Sequence, residues 1–384
     1  MLSHSMYDRL QGLLRCPITS GTLRKISSRE IEELNHQIAL GKLTHYDGTF
    51  VSESLESGFI SSDNLYVYPV IDDIVVLLKH LAIVLVGRES DPTHTLREEK
   101  RVVRNFYDQI GWKEGEGVKN VFVDALRYED LRPVSQEYIH RCHLRVKKYL
   151  KPEGQYLLDV ASGAVQYPEY LRYSHGYEYR ICVDISLLAL KEAKKKVGGR
   201  GIYVLADVTN LPIQDNVIDG VVSLHTIYHI PEDEQGKAVQ ELYRVLRPGS
   251  SAVIVYSWGP HSLFMKLSLF PFRIKKWLQK RAQVWKVGLK NVCLKIARRK
   301  PQMSQHPKAR PYFYAHKYSY FANRVWGFSI EIAVWRSVNS RFTKTFIYRR
   351  LLGKQILRWI YQLEERFPHF TGRFGQYPLF VIRK

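Results

Sequence analysis

A short apolar run followed by small residues is the first stretch of the chain that could support chemistry. Residues 156–160 are mainly apolar and contain Asp159, which is typical of a buried parallel strand. Residues 161–164 are all small, and Pro168 suits the first turn of a helix. Strand, small-residue turn and helix together open a nucleotide-binding βαβ unit, because a ligand can approach the backbone closely and meet free helix amides. One glycine stands where a dinucleotide loop has three, so a tight turn without a ligand is the alternative.

Acidic residues recur at the ends of later apolar runs. Asp184 lies 25 residues after Asp159, near the spacing of a ribose-binding acid, and Asp207 ends the next run. Residues 241–249 indicate the end of a helix with a Pro-Gly stop, which leads into another run. The runs after the first lie at residues 180–186, 201–208, 217–224 and 251–256.

Four motifs carry a resemblance to a known family. In chain order they resemble the class I S-adenosylmethionine (SAM) methyltransferases of the methyltransferase type 11 group, which includes the ubiquinone and menaquinone C-methyltransferases. The resemblance implies an α/β fold with a Rossmann-like, seven-stranded methyltransferase sheet and helices on both faces. It also implies SAM as the cofactor and methyl transfer (EC 2.1.1) as the activity. The motifs are LLDVASG at 157–163, VDIS at 183–186, LADVTNLPIQDNVIDGVVSLHTIYHI at 205–230 and ELYRVLRPGS at 241–250.

The resemblance implies how the cofactor binds. Asp184 would accept hydrogen bonds from the ribose hydroxyls, with capping of the following helix as the alternative role. The small-residue turn would face the methionine part of SAM, and Asp159 would hold that turn or reach the amino group. Asp207 and Val208 would flank the adenine. The predicted cofactor-binding residues are Asp159, Ala161, Ser162, Gly163, Asp184, Ile185, Asp207, Val208 and Leu224.

The turn departs from the family pattern at two positions. Ala161 and Val165 stand where the family usually has glycine. Val165 adds a β-branched side chain, so we expect the loop to take a different path into the following helix. SAM binding is still expected, and the detailed contacts of this loop are left open.

The end of the fourth apolar run supplies the candidate for catalysis. Methyl transfer from SAM is an in-line displacement at a sulfonium carbon, so the enzyme must mainly position the nucleophile and the methyl group. An oxygen or nitrogen acceptor can also need a base. In this fold residues 223–230 face the transferring methyl group. His225 is the predicted catalytic base, with packing against the cofactor as the alternative, and His229 is assigned a structural use.

Residues 1–90 are predicted to form a separate small domain. The segments LLRCP at 13–17 and YPVIDDIVVLL at 68–78 resemble the zinc-ribbon-like domain of tRNA-methyltransferase activator proteins. That domain often uses two CxxC pairs, whereas Cys16 stands alone here and Thr19 occupies the second place. Because tetrahedral zinc needs about four ligands, we expect the ribbon-like shape without a metal, as a small docking domain.

Residues 91–150 are predicted to be a helical linker that covers the cofactor pocket of a methyltransferase domain at 151–384. In the family the segment before the first strand often has this position. Phe106-Tyr107-Asp108 resembles the tyrosine-containing motif found there, with core packing of Tyr107 as an equal alternative.

The basic residues are concentrated in a predicted insertion, residues 259–325. No Asp or Glu occurs from residue 242 to residue 330, and this run holds 18 of the 58 lysines and arginines. A basic amphipathic helix there indicates contact with a membrane surface or an anionic substrate. Nucleic acid is the competing partner, and a solvated basic face is the third interpretation. The apolar positions at helical spacing are Ile274, Leu278, Trp285, Leu289, Val292 and Ile296.

Composition sets the remaining bounds. Of the 384 residues 45% are hydrophobic and 25% are charged, which is ordinary for a globular protein that can hold more than one domain. The four cysteines form no CxxC pair, and the first residues lack a signal-peptide pattern. The most apolar run, residues 74–86, is too short to span a bilayer, and a strand followed by a helix is expected there. We therefore expect a cytoplasmic protein, with the insertion as a peripheral contact to the inner membrane surface.

Three functions are compatible with the sequence. The first is SAM-dependent methylation of a small or lipid-linked anionic acceptor. The second is RNA methylation, although no RNA-stacking motif or RNA-methyltransferase catalytic motif is visible. The third is a non-catalytic binding module with a SAM fold, which is disfavoured because all three strand-end acids are in place. The sequence does not identify the acceptor, the acceptor atom or the oligomeric state.

Overall fold

The structure is a computed structural model that describes residues 4–85, 95–115, 117, 121–271 and 310–384. The predicted amphipathic positions of the basic insertion lie outside the described residues. They are Ile274, Leu278, Trp285, Leu289, Val292 and Ile296.

Residues 4–85 contain two α-helices and six short strands. The second helix begins with a capping box, in which Ser27 Oγ accepts from the Glu30 amide and Glu30 Oε2 accepts from the Ser27 amide at 2.8 Å. A 3₁₀ turn, Lys79–Leu81, and a strand follow residue 78, so the helix predicted there is wrong. The elements are α1 (His4–Leu13), β1 (Leu23–Lys25), α2 (Ser28–Ala39), β2 (Thr44–His45), β3 (Gly58–Ser61), β4 (Tyr66–Ile71), β5 (Ile74–Val76) and β6 (Ile83–Val84).

The segment before the central sheet is helical. Helix α3 (Glu98–Phe106) continues directly into a π-helical turn, Tyr107–Gly111. Such turns are rare and are often found at functional sites. Helices α4 (Val123–Tyr128) and α5 (Gln136–Arg145) follow, and the chain then enters the sheet.

The central sheet has the order β9-β8-β7-β10-β11-β13-β12. The first five strands in this order are parallel to one another, and β13 runs antiparallel to both of its neighbours, β11 and β12. This arrangement confirms the predicted α/β, Rossmann-like methyltransferase sheet. The strands are β7 (Gly154–Val160), β8 (Tyr177–Asp184), β9 (Gly201–Leu205), β10 (Ile218–Leu224), β11 (Leu246–Val255), β12 (Ile330–Arg336) and β13 (Tyr377–Arg383).

Both faces of the central sheet are buried. Consecutive residues of a strand point to opposite faces, and Leu157 and Leu158 accordingly pack into two different apolar cores. Val221 and Val222 of β10 divide in the same way. Burial on both sides explains why these strands are continuous apolar runs instead of alternating ones.

The strands of the first 85 residues extend this sheet. Strand β5 pairs in parallel with β9, and it joins β4 through the tight turn at Asp72 and Asp73, which both have positive φ. Leu10 and Tyr68 lie in the same apolar core as Leu158. The N-terminal strands are therefore part of one sheet with the strands that form the predicted methyltransferase domain.

Helices flank the sheet between and after its strands. Pro168 occupies the first turn of α6, as the sequence predicts. No helix within the described ranges is long and apolar enough to cross a membrane. The helices are α6 (Pro168–Leu171), α7 (Leu187–Val197), α8 (Gln235–Val245), α9 (Leu263–Ser268), α10 (Tyr318–Asn323), α11 (Ser340–Phe346), α12 (Gly353–Arg366) and α13 (Pro368–Phe374).

Candidate active site

A cavity of about 840 Å³ lies at the carboxyl ends of the parallel strands. Parallel α/β sheets bind ligands at this edge, where the strand order reverses, and β7 and β10 adjoin there. Every residue that the sequence predicts for the site lines this one cavity. They are Asp159, Ala161, Ser162, Gly163, Asp184, Ile185, Asp207, Val208, Leu224 and His225.

The turn after β7 holds its backbone in an unusual conformation. Ala161, Gly163 and Val165 all have positive φ, between +46° and +53°. Such angles strain non-glycine residues and cluster at functional sites. Val165 therefore keeps the left-handed conformation that glycine favours, and it does so while buried. A Cβ added to Gly163 would lie 2.4 Å from Trp112, so only glycine fits beneath that ring.

Asp184 ties the turn to the following helix. One carboxylate oxygen accepts from the Gly163 amide and the other from the Ser186 amide, both at 2.9 Å. Burial raises the pKa of Asp184 to about 6, since these two amides only partly offset the loss of solvent. The N-cap of α7 is Ser186, whose Oγ accepts from the Ala189 amide. Ser186, and not Asp184, is therefore the residue that caps α7.

The negative charge of Asp159 is balanced by Arg180 within the sheet. Arg180 of the neighbouring strand β8 donates through Nε (3.1 Å) and Nη2 to the same carboxylate oxygen, and both side chains are buried. Arg180 also donates to the Tyr170 carbonyl at 2.6 Å, which fixes its guanidinium. The sequence pattern did not indicate this partner, although the two residues lie on adjacent strands, 21 positions apart.

Asp207 has both carboxylate oxygens engaged. Oδ1 accepts from the Thr209 amide and hydroxyl at 2.9 Å, and Oδ2 accepts from Lys100 Nζ at 2.5 Å. Lys100 is buried on α3 and also contacts Thr209 and Glu234. A ligand amine at Asp207 would therefore share the carboxylate with Lys100. Sequence reasoning missed this lysine because it precedes Asp207 by 107 residues.

Aromatic residues of the linker cover the turn. The rings of Tyr107 and Trp112 stack with centroids 5.0 Å apart, and both line the cavity. Asp108, between them, accepts a hydrogen bond from Ser186 Oγ. The π-helical turn thus places three linker side chains against the turn after β7 and the start of α7. Tyr107 makes both a packing contact and a contribution to the cavity wall.

His225 projects from the end of β10 in a strained backbone conformation, with φ at +60°. Its ring lies 4.6 Å from that of Trp335 and 5.4 Å from that of Tyr377, measured between centroids. Burial lowers the pKa of His225 well below its usual value, and the nearby Arg336 adds to the effect. The imidazole is therefore neutral near pH 7 and can accept a proton.

His229 is anchored by a described part of the predicted basic insertion. Its Nδ1–H donates to the Tyr312 carbonyl at 2.5 Å, and burial lowers its pKa to about 4. The histidine also lines the cavity. Its hydrogen bond agrees with the structural use expected for it.

The opposite part of the cavity is formed by residues that the sequence did not indicate. Arg336, the last residue of β12, donates to Glu129 Oε1 at 2.7 Å and is only 4% exposed. Its guanidinium lies 5.0 Å from the ring centroid of Tyr377, which also lines the cavity. Arg336 Nε has no hydrogen-bond partner among the described residues. The one available signal was the position of Arg336 at the carboxyl end of a strand.

His143 is a buried histidine next to Glu129 and Trp335. His143 has no hydrogen-bond partner on either ring nitrogen within the described part of the chain. Its ring stacks on Trp335 with centroids 5.6 Å apart, and its Nε2 lies 4.0 Å from Glu129 Oε2. Burial alone would raise the pKa of Glu129, but Arg336 and His143 outweigh it and hold that pKa below its ordinary value.

The cavity therefore has two chemically different ends. We call the part formed by Asp159, residues 161–163, Asp184 and Asp207 the turn end. The part formed by Glu129, Arg336 and Tyr377 is the arginine end. In strand order the turn end lies on β7, β8 and β9, the arginine end reaches β12, and His225 on β10 lies between them.

The turn end fits SAM. The cavity volume is within the usual range of about 300–1,000 Å³ for small-molecule sites. Ala161 and Ser162 of the left-handed turn line the cavity and are only half-buried, and Asp184 presents a carboxylate there that ribose hydroxyls could reach. The described residues include no cluster of three or more His, Cys, Asp or Glu side chains that could hold a metal ion. In the N-terminal strands Cys16 Sγ contacts the Tyr68 hydroxyl at 3.1 Å.

Comparison with known proteins gives a family match and distant relatives. The family model described as a methyltransferase domain matches residues 158–254. A ubiquinone/menaquinone biosynthesis C-methyltransferase of Desulfotalea psychrophila is 29% identical over 165 residues, which cover 41% of this chain and 64% of that protein. The probable tRNA methyltransferase 9B of Mus musculus is 26% identical over 136 residues, 34% of this chain and 28% of that protein. The chain thus spans less than two thirds of the length of either relative.

Among solved structures, that of the cyclase SpnF is 15% identical. The matched region covers 72% of this chain and 86% of the SpnF chain, with a TM-score of 0.37. That score is too low to support an argument from shared structure.

Proposed function

We propose, from the premise that residues 158–254 are a methyltransferase domain of the SAM-dependent class, that the chain transfers a methyl group from SAM to a small or lipid-linked anionic acceptor. One observation carries the proposal, namely the separation of charge within a single cavity. Three carboxylates lie at the turn end, where Asp159 is paired with Arg180 and Asp207 with Lys100. The buried Arg336 lies at the arginine end, where it is paired with Glu129. A cationic cofactor and an anionic acceptor would each find complementary charge there.

At the turn end, Asp184 would hold the ribose hydroxyls, with Ile185 beside the ribose. The backbone of residues 161–163 would meet the methionine part, and Arg180 would keep Asp159 in place beneath it. Asp207 and Val208 would flank the adenine, and Leu224 would complete the wall. When bound, SAM supplies an electrophilic methyl group on its sulfonium sulfur.

At the arginine end, Arg336 would bind the negative group of the acceptor. Its charge is paired with Glu129, but its Nε has no hydrogen-bond partner among the residues that the structure describes, and its guanidinium lies beside the cavity. Burial strengthens the interaction with an incoming anion, because solvent does not screen it. Arg127 and Arg310 also line the cavity, and they would add to the attraction.

His225 would act between the two ends as the base that removes the acceptor proton. Its imidazole is unprotonated near pH 7, as a base must be, but the lowered pKa also makes it a weaker proton acceptor. Trp335 and Tyr377 contact the ring edge to face. Packing against the cofactor, with no proton transfer, is the alternative role. An acceptor that is already a carbanion or a free amine would need only positioning.

RNA is the competing acceptor. It is favoured by the net charge of +21 and by the similarity to a probable tRNA methyltransferase. The burial of Arg336 favours a small acceptor instead, since an arginine that holds an RNA backbone remains near the surface. From its sequence alone, we also propose that the basic insertion at 259–325 contacts an anionic membrane surface.

The proposal can be tested with the purified full chain and SAM labelled in its methyl group. The chain is incubated separately with small-molecule, lipid and RNA fractions of a cell extract, and the label is followed by mass spectrometry. We expect label in the small-molecule or lipid fraction, in a species one methylene heavier. Label in RNA alone would establish the competing function. Absence of SAM binding by calorimetry would refute methyl transfer altogether.

A further inference from the structure

Helix α12 presents apolar side chains to solvent. Leu352, Ile356 and Trp359 recur at helical spacing and are all exposed, with Trp359 at 61%. A different side of the helix, about 100° around its axis, packs inward through Gly353 and Leu357. The helix therefore has a second apolar stripe in addition to the one that it buries.

The neighbouring helix α13 carries further exposed aromatic rings. Phe367 follows the last turn of α12, and Phe370 of α13 is 57% exposed. The Phe370 ring adjoins that of Phe264 on α9, with centroids 6.0 Å apart, so the surface reaches a third helix. We call Leu352, Ile356, Trp359, Phe367 and Phe370 the C-terminal apolar face. Clustered exposed side chains of this size usually mark an interaction site.

The C-terminal apolar face is surrounded by positive charge. Residues 340–374 contain eight lysines and arginines but only two acidic residues, Glu364 and Glu365. Both glutamates are paired with Arg145 on another helix. The exposed basic residues around the face are Arg349, Arg350, Lys354, Arg366 and Arg373.

This combination of charge and shape selects one class of partner. A second copy of the chain would bring two identical basic rims together, which is unfavourable. RNA would use the arginines and the aromatic rings, but Leu352 and Ile356 offer no surface for base stacking. An anionic bilayer satisfies every part of the face, because acyl chains accept the apolar residues and lipid phosphates pair with the basic ones. Tryptophan is also favoured at the boundary of lipid and water.

We propose that the C-terminal apolar face docks the protein peripherally on the surface of an anionic lipid bilayer. The proposal goes beyond methyl transfer, since it requires neither SAM nor an acceptor. It is also independent of the basic insertion, because each of the five residues lies in α12, α13 or at their ends. A lipid-linked acceptor would gain from such docking by being brought to an enzyme already on the membrane.

Flotation with lipid vesicles tests the proposal on the full chain. The vesicles contain phosphatidylcholine, alone or with phosphatidylglycerol. We expect the unmodified protein to float with the anionic vesicles and to dissociate as salt increases. The double substitution W359S/F370S leaves the net charge unchanged and should weaken vesicle binding roughly tenfold or more.

The matched control removes apolar side chains that are exposed elsewhere. Leu40 is 54% and Phe50 is 71% exposed, and neither belongs to the C-terminal apolar face or to the basic insertion. The variant L40S/F50S should therefore bind vesicles like the unmodified protein. A charge variant, R350Q/K354Q, should also weaken binding, and its effect should vanish at high salt.

Several outcomes would overturn the proposal. They are no vesicle binding by the unmodified protein, equal binding by W359S/F370S, or equal losses in W359S/F370S and the control. A dimer that W359S/F370S dissociates would assign the face to a second copy of the chain. A marked fall in the melting temperature of the single variant W359S, which removes a ring that is 61% exposed, would show that other residues of the chain cover the face. RNA binding that W359S/F370S abolishes would assign the face to nucleic acid.

Discussion

The two ends of the cavity are assembled in different ways. The turn end takes its residues from three consecutive strand ends, all between Asp159 and Asp207. The arginine end takes Glu129 from the linker, Arg336 from β12 and Tyr377 from β13. The first end is a local sequence pattern repeated along a sheet, whereas the second exists only after distant segments have packed together. Under the proposed function the turn end would hold the cofactor and the arginine end the acceptor.

The largest expected effect concerns His225, which lies between the two ends. The substitution His225→Asn keeps a residue that tolerates positive φ, so the backbone should be preserved. If His225 is the base, kcat should fall roughly 10²- to 10⁴-fold, while the dissociation constant for SAM stays the same. Turnover of the acceptor found by methyl labelling and calorimetry with SAM measure the two quantities. An unchanged kcat would assign His225 to packing.

The next largest effect concerns the stability that the pair of Arg336 and Glu129 contributes at the arginine end. Arg336→Met leaves Glu129 buried without its partner, and the free energy of unfolding should fall by about 3–5 kcal/mol. Urea unfolding measures this loss. The double variant E129L/R336M should recover most of it, because the uncompensated charge is gone. SAM affinity should be unchanged in the double variant, and a marked loss would mean that the two ends are not independent.

At the turn end, Asp184→Ala should weaken SAM binding by roughly 1–3 kcal/mol, as expected for loss of a charged hydrogen-bond partner. Asp219 offers a matched control, since its carboxylate also accepts from two backbone amides, those of Gln155 and Tyr156. Asp219 does not line the cavity. Asp219→Ala should therefore lower stability without changing the intrinsic SAM affinity measured by calorimetry below the unfolding temperature. Similar SAM losses in both variants would attribute the effect of Asp184 to structure alone.

The smallest effect is a pH dependence of SAM binding that originates at the turn end. The pKa of Asp184 is raised to about 6, so the carboxylate becomes protonated as pH falls from 7 to 5. Because SAM favours the ionised form, its affinity should drop by about tenfold over this range. Calorimetry at a series of pH values measures the change. Asp184→Ala should show a flatter profile, and an equal slope in both proteins would contradict this origin.

In the absence of SAM, the pH dependence that Asp184 gives to the stability of the fold has the opposite sign. Its pKa in the folded chain lies above that of an unfolded aspartate, so the folded state binds this proton more tightly. The contribution of Asp184 to stability is therefore greatest at low pH. It decreases as pH rises from about 4 to about 6, and Asp184→Ala should remove that decrease from urea unfolding curves.

The sequence by itself determined the strand pattern of the central sheet and the turn end. Apolar runs that end in acids are visible in one dimension, and parallel pairing necessarily brings their carboxyl ends to one edge. The assignment of Asp159, Asp184, Asp207 and His225 to one site therefore needs only the sequence, and the cavity brings all four together. Their roles toward SAM and the acceptor stay predictions, since position alone does not establish contact.

Tertiary structure alone decided the partners of these residues. The pairing of Arg336 with Glu129 spans 207 positions and that of Lys100 with Asp207 spans 107. The parallel pairing of β5 with β9 likewise joins the N-terminal strands to the central sheet across more than a hundred residues. No local periodicity encodes such contacts, because they depend on how whole elements pack. The sequence thus determined where a charged ligand could approach, and packing decided which of the buried charges are already paired.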